Sequence, residues 1–372
     1  MKLSLIKDIT SIIEEQFPLH LAEEWDNSGL QIGSLENQLS QIIVALDLDK
    51  QVVDEAIRAK AELIITHHPM FMQGLKSINY NSYQGQLIKE IIKNNLTVYS
   101  AHTNLDMGEN GLNDWLASLL GLDNVSLLGR DKEDGLIKLV VYLPISHINE
   151  VRQAINDAGS GHIGNYSDCT FRTLGIGTFK PGEATNPFFG QAGQLSEVEE
   201  YRLETVVYKS KLAQVLRAMH AAHPYEEVAY DLYELQNPGK AYGLGRMGLL
   251  PASLTLKDFA NQVKSQLNLE YLRMVGDLDK RVKRVAVIGG SGASFIHKVA
   301  QQNVDVLVTG DVKYHEAQEA EKLGLAVIDA GHHGTEEIMT YQMVRWLREV
   351  SSRHNLNIKI SPFSSQDYFK YI

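Results

Sequence analysis

One pattern constrains this 372-residue chain more than any other: the same run of strand-like and helix-like segments occurs twice. In the first copy, "QIIVALDL" (41–48) is apolar and β-branched. "DKQVVDEAIRAKA" (49–61) places Val52, Val53, Ala56 and Ile57 at helical spacing, and "ELIITHH" (62–68) is strand-like again. A helix-like "YQGQLIKEIIKNN" (83–95) and a strand-like "LTVYSAH" (96–102) complete the block. The second copy runs "VKRVAVIGG" (282–290), "SGASFIHKVAQQN" (291–303), "VDVLVTGD" (304–311), "YHEAQEAEKLG" (314–324) and "LAVIDAGHH" (325–333). A β-α-β-α-β order predicts a mostly parallel sheet with helices on its faces, so the chain reads as two related α/β lobes. Superposing the copies sets Thr66 on Thr309, His102 on His332 and Asp106 on Glu336.

The middle of the chain follows a different rule. "LIKLVVYLP" (136–144) is strand-like and "SHINEVRQAINDAG" (146–159) helix-like, and a glycine-rich stretch follows. Then come the strand-like "YRLETVVYK", the helix-like "SKLAQVLRAMHAAHP" and the strand-like "EEVAYDLYEL". Two β-α-β units in series predict an α+β ferredoxin-like module. The polar, glycine-bearing stretches "LLGRDKEDG" and "LQNPGKAYGLG" mark it as an insertion. The expected divisions are residues 1–128 for the first lobe, 129–238 for the insertion and 239–372 for the second lobe.

A formal net charge of −11 argues against general nucleic-acid binding, which needs a basic footprint. Cys169 is the only cysteine, so the chain has no internal disulfide and no CxxC motif. A metal site in this protein must therefore use His, Asp and Glu. The N-terminal "MKLSLIKDITSIIEEQF" interrupts its apolar residues with Lys7, Asp8, Glu14 and Glu15, which predicts an amphipathic helix. No apolar run approaches the ~18 residues of a membrane span, and a cytoplasmic location is expected.

In a parallel α/β sheet, ligands gather beyond the carboxyl ends of the strands. His67 with His68, His102 with Asp106, Asp311, and His332 with Glu336 all stand at such ends. Histidine with carboxylate and no cysteine is a donor set for Zn²⁺, Mn²⁺ or Fe²⁺. The pairs His102–Asp106 and His332–Glu336, each four residues apart, face one way where their segment opens a helix. Because a carboxylate can bridge two ions, two divalent metals ~3.5–4 Å apart are a natural occupancy.

"EEWDNSGLQIG" (23–33), "THHPMF" (66–71), "SAHTNLD" (100–106), "VTGDVKYHEA" (308–317) and "GHHGTEE" (331–337) resemble the dinuclear-metal family of GTP cyclohydrolase 1 type 2 homologs, the family of the yeast NGG1-interacting factor. The resemblance covers both outer lobes. Residues 129–238 resemble the PII-like and copper-tolerance-like insertion of some bacterial members. The resemblance implies a dinuclear site with the metal ligands His67, His68, Asp106, His332 and Glu336, and Asp106 as the bridge. It implies that His102 and His315 lie near the site in catalytic or supporting roles. It also implies a toroidal homohexamer. His333 departs from the pattern, standing where many members carry an aromatic residue.

Other segments carry weaker signals. "VIGGSGASF" (287–295) offers a glycine turn before a helix but matches no phosphate-loop pattern. "HAAHPYEEVAYDL" (220–232) groups His223, Glu226 and Glu227, as a metal site or as the turn into a strand. Two classes of function stay open on these residues. One is a two-metal hydrolase acting on a small phosphorylated or ring-nitrogen metabolite. The other is a metal-binding regulatory, storage or chaperone assembly.

Overall fold

The structure, a computed structural model, describes residues 4–370. It divides into two compact units, one made of residues up to Asp131 together with those from Tyr242 onward, the other of Lys132–Ala241.

The first part of the larger unit opens with helix α1 (Ile6–Gln16), strands β1 (Gly29–Ile32) and β2 (Gln41–Ala45), and helix α2 (Lys50–Ala59). It continues through β3 (Leu63–Thr66), α3 (Tyr83–Lys93), β4 (Thr97–Ser100), α4 (Thr103–Met107), α5 (Leu112–Leu119) and β5 (Asp123–Leu127). Local chemistry starts the helices. The Asp49 carboxylate accepts from the Val52 N–H (2.9 Å), and the Ser82 hydroxyl accepts from the Gly85 N–H (3.1 Å), satisfying amides that a helix start leaves free.

The smaller unit contains β6 (Lys132–Asp134), β7 (Leu136–Pro144), α6 (Ile148–Asp157), β8 (Thr170–Phe179), β9 (Ser196–Tyr208), α7 (Leu212–Ala222), β10 (Tyr230–Glu234) and most of β11 (Lys240–Tyr242). Its four-stranded sheet has the order β10-β7-β9-β8, antiparallel throughout. This is the ferredoxin-like arrangement expected from the two β-α-β units. Leu139, Val141 and Leu143 alternate inward along β7 and meet Val151 and Ile155 of α6 and Val215 and Met219 of α7.

The chain then returns to the larger unit with β12 (Arg246–Thr255), α8 (Leu256–Gln266), β13 (Arg273–Val275), β14 (Arg281–Ser291), α9 (Ile296–Ala300) and β15 (Val306–Gly310). The last elements are α10 (Tyr314–Lys322), β16 (Ala326–Asp329), α11 (His332–Glu336), α12 (Ile338–Arg353) and β17 (Lys359–Pro362).

The two lobes are related in the way the repeated pattern predicts. One sheet has the order β1-β4-β3-β2-β17, the other β13-β16-β15-β14-β12-β5. In each, three parallel strands stand in sequence order and an antiparallel strand flanks the last of them. The sheets do not follow the halves of the chain strictly. The C-terminal β17 joins β2 in the first sheet, and β5 joins β12 in the second. Both faces of each sheet are covered: Ile42, Val44 and Ile65 meet α1 and α12, while Ile43, Ile64 and Val98 meet α2 and α3. This two-sided burial explains why β2 and β3 are continuous apolar runs.

A buried ion pair joins the lobes. Arg246 of β12 makes a two-pronged contact with Asp114 of α5 (2.7 and 2.9 Å) and donates to the Gly108, Gly243 and Gly245 carbonyls. Nothing in the local pattern around Arg246 announces that partner. No helix among the described residues is long and apolar enough to cross a membrane.

Candidate metal centre

The carboxyl ends of the two sets of parallel strands face a common site. After β3, the His67 and His68 N–H groups donate to the Leu46 carbonyl (3.1 and 3.0 Å). The Thr66 and Ser100 hydroxyls lie 2.8 Å apart, both within reach of the His68 carbonyl (2.9 and 3.3 Å). The histidine pair is thus fixed at its backbone before its side chains do anything. His102 caps α4 and His332 opens α11, so Asp106 and Glu336 each follow their histidine by one helical turn.

Four imidazoles are oriented by the same device. His67 Nδ1–H donates to the Ala101 carbonyl (2.8 Å), and His68 Nδ1–H to Asp47 (2.8 Å). His102 Nδ1–H donates to Asp26 (2.8 Å), and His332 Nδ1–H to Asp311 (2.7 Å). An oxygen acceptor on Nδ1 holds a proton there, so Nε2 is the nitrogen that takes either a second proton or a metal, and it becomes a better donor. Asp311 supports this from the left-handed region (φ +55°), where aspartate is one of the few tolerated residues.

The free atoms converge. His68 Nε2 and His332 Nε2 are 3.3 Å apart, and Glu336 Oε2 is 3.0 Å from the first and 3.1 Å from the second. Donors bound to one tetrahedral metal at ~2.0–2.1 Å stand about 3.3–3.4 Å apart, so these three atoms occupy the corners of such a site. The other oxygen, Glu336 Oε1, lies 3.7 Å from His67 Nε2, which is 3.5 Å from Asp106 Oδ1. His67, His68 and His102 form a second group whose donor atoms lie within 4.8 Å of one another. The resemblance implies Asp106 as the bridge; Glu336 also reaches several imidazoles, with Oε2 beside His68 and His332 and Oε1 toward His67.

Two observations test whether a cation fits. His67 Nε2, Asp106 Oδ1 and Glu336 Oε2 are buried without a hydrogen bond of acceptable geometry, although polar atoms crowd around them. Buried polar atoms are rarely left so, and ions or water are the usual explanation. The electrostatics agree. Burial pulls the His68 imidazolium down, but Asp47 and Glu336 outweigh it and push the group up to about 10. His332 is raised to about 9 by its contact with Glu336, against burial. Burial and the neighbouring Glu336 raise Asp106, whereas the surrounding histidines hold Glu336 well below the usual carboxylate range despite its burial. The cluster requires positive charge, as protons or as a metal ion, and its donors fit a divalent ion.

The remaining expected residues fall in several places. His315 is exposed near the start of α10, its ring against Tyr314 at 5.5 Å, outside both donor groups. His333 lines the adjoining cavity but stands outside both donor groups, with Nε2 donating to the Ser365 carbonyl (3.1 Å). Asp26 of "WDNSG" orients His102, while Asn27 donates to the Phe71 carbonyl (2.6 Å). Asp47 stands just past β2 and was not singled out from sequence. The rule that strand ends carry the chemistry would have found it.

"VIGGSGASF" serves the centre sterically. A Cβ on Gly290 would fall 2.1 Å from Glu336 Oε1 and 3.2 Å from His332 Nε2, and Gly290 has φ +61°. Gly290→Ala is therefore expected to displace Glu336, weaken metal binding about tenfold or more and destabilise the fold by ~1–3 kcal/mol. Chelator competition and denaturant unfolding read the two effects. Unchanged metal affinity would sink this assignment.

A cavity of about 480 Å³ adjoins the donors, lined by His68, His332, Asp47, Tyr271, Arg273 and Tyr368 among others.

Comparison with known proteins places this geometry in a family. The Duf34/NIF3 (NGG1p interacting factor 3) model matches residues 4–367. Relatives named GTP cyclohydrolase 1 type 2 homolog are 44% identical in Halalkalibacterium halodurans, over 91% of each chain, and 44% identical in Bacillus subtilis, over 95% of each. A Bacillus cereus protein related to NIF3 superposes with a TM-score of 0.89 at 43% identity, covering 100% of both chains. With a match along nearly its whole length and the same architecture in a solved relative, this chain belongs to the Duf34/NIF3 family.

Proposed function

We propose that the cluster holds two divalent metal ions and that the protein is a metal-dependent hydrolase acting on a small phosphorylated or ring-nitrogen metabolite. Zinc suits the donors best, with manganese or iron as alternatives. The observation that carries the reading is Glu336, whose Oε2 lies 3.0 and 3.1 Å from His68 and His332 Nε2 while its Oε1 is turned to His67 Nε2 at 3.7 Å. In this reading His68, His332 and Glu336 would hold one ion, and His67, Asp106 and Glu336 would hold the other. Such ions supply Lewis-acid activation of water and of a substrate's carbonyl, imine or phosphoryl oxygen.

The chain's own residues supply the rest. Asp47, Asp311 and the Ala101 carbonyl hold the imidazoles in one tautomer and one orientation. His102, held by Asp26, is placed to take up and return a proton at Nε2. Tyr271 lines the adjoining cavity with a ring able to stack on a heterocycle, and Arg273 lines it with its guanidinium paired to Asp329. That open space beside the donors supports catalysis over storage, because storage needs donors that saturate the ion and no room for substrate. The family resemblance extends the reading to a homohexamer, and the cytoplasmic location expected from the sequence is kept with it.

The test is a screen of the metal-reconstituted protein against phosphoesters, cyclic amides and nucleotides, beside Asp106→Ala. Turnover that disappears in the variant supports the hydrolase. Reversible metal exchange without turnover on any class would overturn it in favour of storage or delivery, and failure to bind any divalent ion would overturn both. His102→Ala separates a proton carrier from a metal ligand. It is expected to keep its metal content while turnover falls ~10²–10⁴-fold, whereas loss of metal would make His102 a ligand. His315→Ala, at an exposed position, is expected to change neither quantity.

A further inference from the structure

The inserted unit has a pocket of its own, about 390 Å³, lined by Phe179, Phe188, Phe189, Tyr225 and Glu200 among others, with no lysine or arginine in its lining. The rings are steeply inclined to one another. Phe188 and Phe189 meet at 79° with centroids 4.6 Å apart, and Tyr225 stands 6.1 Å from Phe188 and 6.5 Å from Phe189. Phe188 and Phe189 are 47% and 38% exposed, so they still have faces to offer a ligand.

Glu200 belongs to the same pocket and is only 9% exposed. A carboxylate so buried normally faces a cation or several donors. Its hydrogen bond comes from one neutral group, the Tyr225 hydroxyl, to Oε1 (2.7 Å). The second oxygen lies over Gly177 of β8, where a Cβ would come within 2.1 Å of it. The missing side chain at Gly177 makes the space this carboxylate occupies.

The segment "HPYEE" (223–227) builds this wall. His223 Nε2–H donates to the Tyr142 carbonyl (3.0 Å), and its Nδ1 accepts from the Tyr225 N–H (3.1 Å). Both ring nitrogens are engaged and Glu226 accepts from the Asn186 N–H (2.9 Å), so this trio is not a second metal site. It fixes the Tyr225 ring against Glu200.

We propose that this pocket binds a small organic ammonium ion, held between the faces of Phe188, Phe189 and Tyr225 and neutralised by Glu200. Aromatic faces and a desolvated carboxylate both attract a cation, and the bulk of a substituted ammonium fills an apolar space that a hydrated metal ion would not. The site is independent of the metal centre and of the reaction assigned to it.

Choline and its uncharged carbon isostere 3,3-dimethylbutan-1-ol are the probes, titrated into the full-length, metal-loaded protein by saturation-transfer NMR. Choline is expected to bind saturably in the millimolar range or tighter, and the isostere ~10-fold more weakly. Glu200→Gln, which keeps the shape and an acceptor for Tyr225, is expected to cost choline ~10-fold in affinity at unchanged metal content. Phe188→Leu, at a half-exposed position that carries little of the fold, is expected to weaken choline several-fold. Equal binding of the two probes, no saturable choline binding, or full choline affinity in both variants would overturn the proposal.

Discussion

Replacing Glu336 by glutamine is expected to remove most of the metal affinity while the chain stays folded. The side chain is buried, its Oε2 stands 3.0 and 3.1 Å from two imidazole nitrogens, and its Oε1 points to a third. Glutamine keeps the volume and one oxygen but loses the charge and presents an N–H₂ to one of the two groups. Outer partners of metal ligands alone are worth 10–100-fold in affinity, so loss of the carboxylate that the proposed two-ion centre would share should exceed ~100-fold. Equilibrium competition with a chelator, with elemental analysis of bound metal, measures it. Retention of wild-type stoichiometry and affinity would remove Glu336 from the centre and with it the two-ion reading.

The second large effect is on pH. In the metal-free protein His68 is raised to about 10 and His332 to about 9, so at neutral pH both carry the proton that a metal must displace from Nε2. Metal affinity should therefore climb with pH, up to about tenfold per unit for each proton released, across the range from ~6 to ~8. Calorimetry in buffers of different ionisation enthalpy counts the protons directly, and affinity independent of pH with no proton release would refute the assignment.

Stability should move the opposite way. A histidine whose folded value exceeds its unfolded value of ~6.5 contributes stability that is complete below that value and lost as pH rises through the folded one. Chelated protein should therefore lose stability between neutrality and pH ~9–10, a loss the metal-loaded protein should not share. Thermal unfolding with and without chelator separates the two curves.

The sequence reported some of this directly because the relevant geometry is local. Strand and helix periods follow from residue order, so the parallel strands of the two sheets and their helices are legible in "ELIITHH" and "VDVLVTGD". The pairs His102–Asp106 and His332–Glu336 are separated by one helical turn and face one way wherever the helix forms. Asp47 stands at a strand end, where chemistry is expected, but residue order alone does not distinguish it from a helix cap; the contact with His68 does. Gly290 was visible as a turn, but its work, clearing space for a carboxylate from a residue far along the chain, has no local signature.

What residue order determined, then, is the alternation of strands and helices, the inserted β-α-β pair, and the placing of imidazoles and carboxylates at strand ends. The tertiary structure alone decided that His68 and His332 approach to 3.3 Å, that Glu336 stands within reach of His67, His68 and His332 together, and that His315 lies outside both donor groups. It also decided the exchange of β5 and β17 between the sheets. The reason is one of range. Backbone geometry fixes distances within a turn or a strand, whereas the distance between residues hundreds of positions apart is set by how two sheets pack, and the apolar runs that drive that packing look alike in sequence.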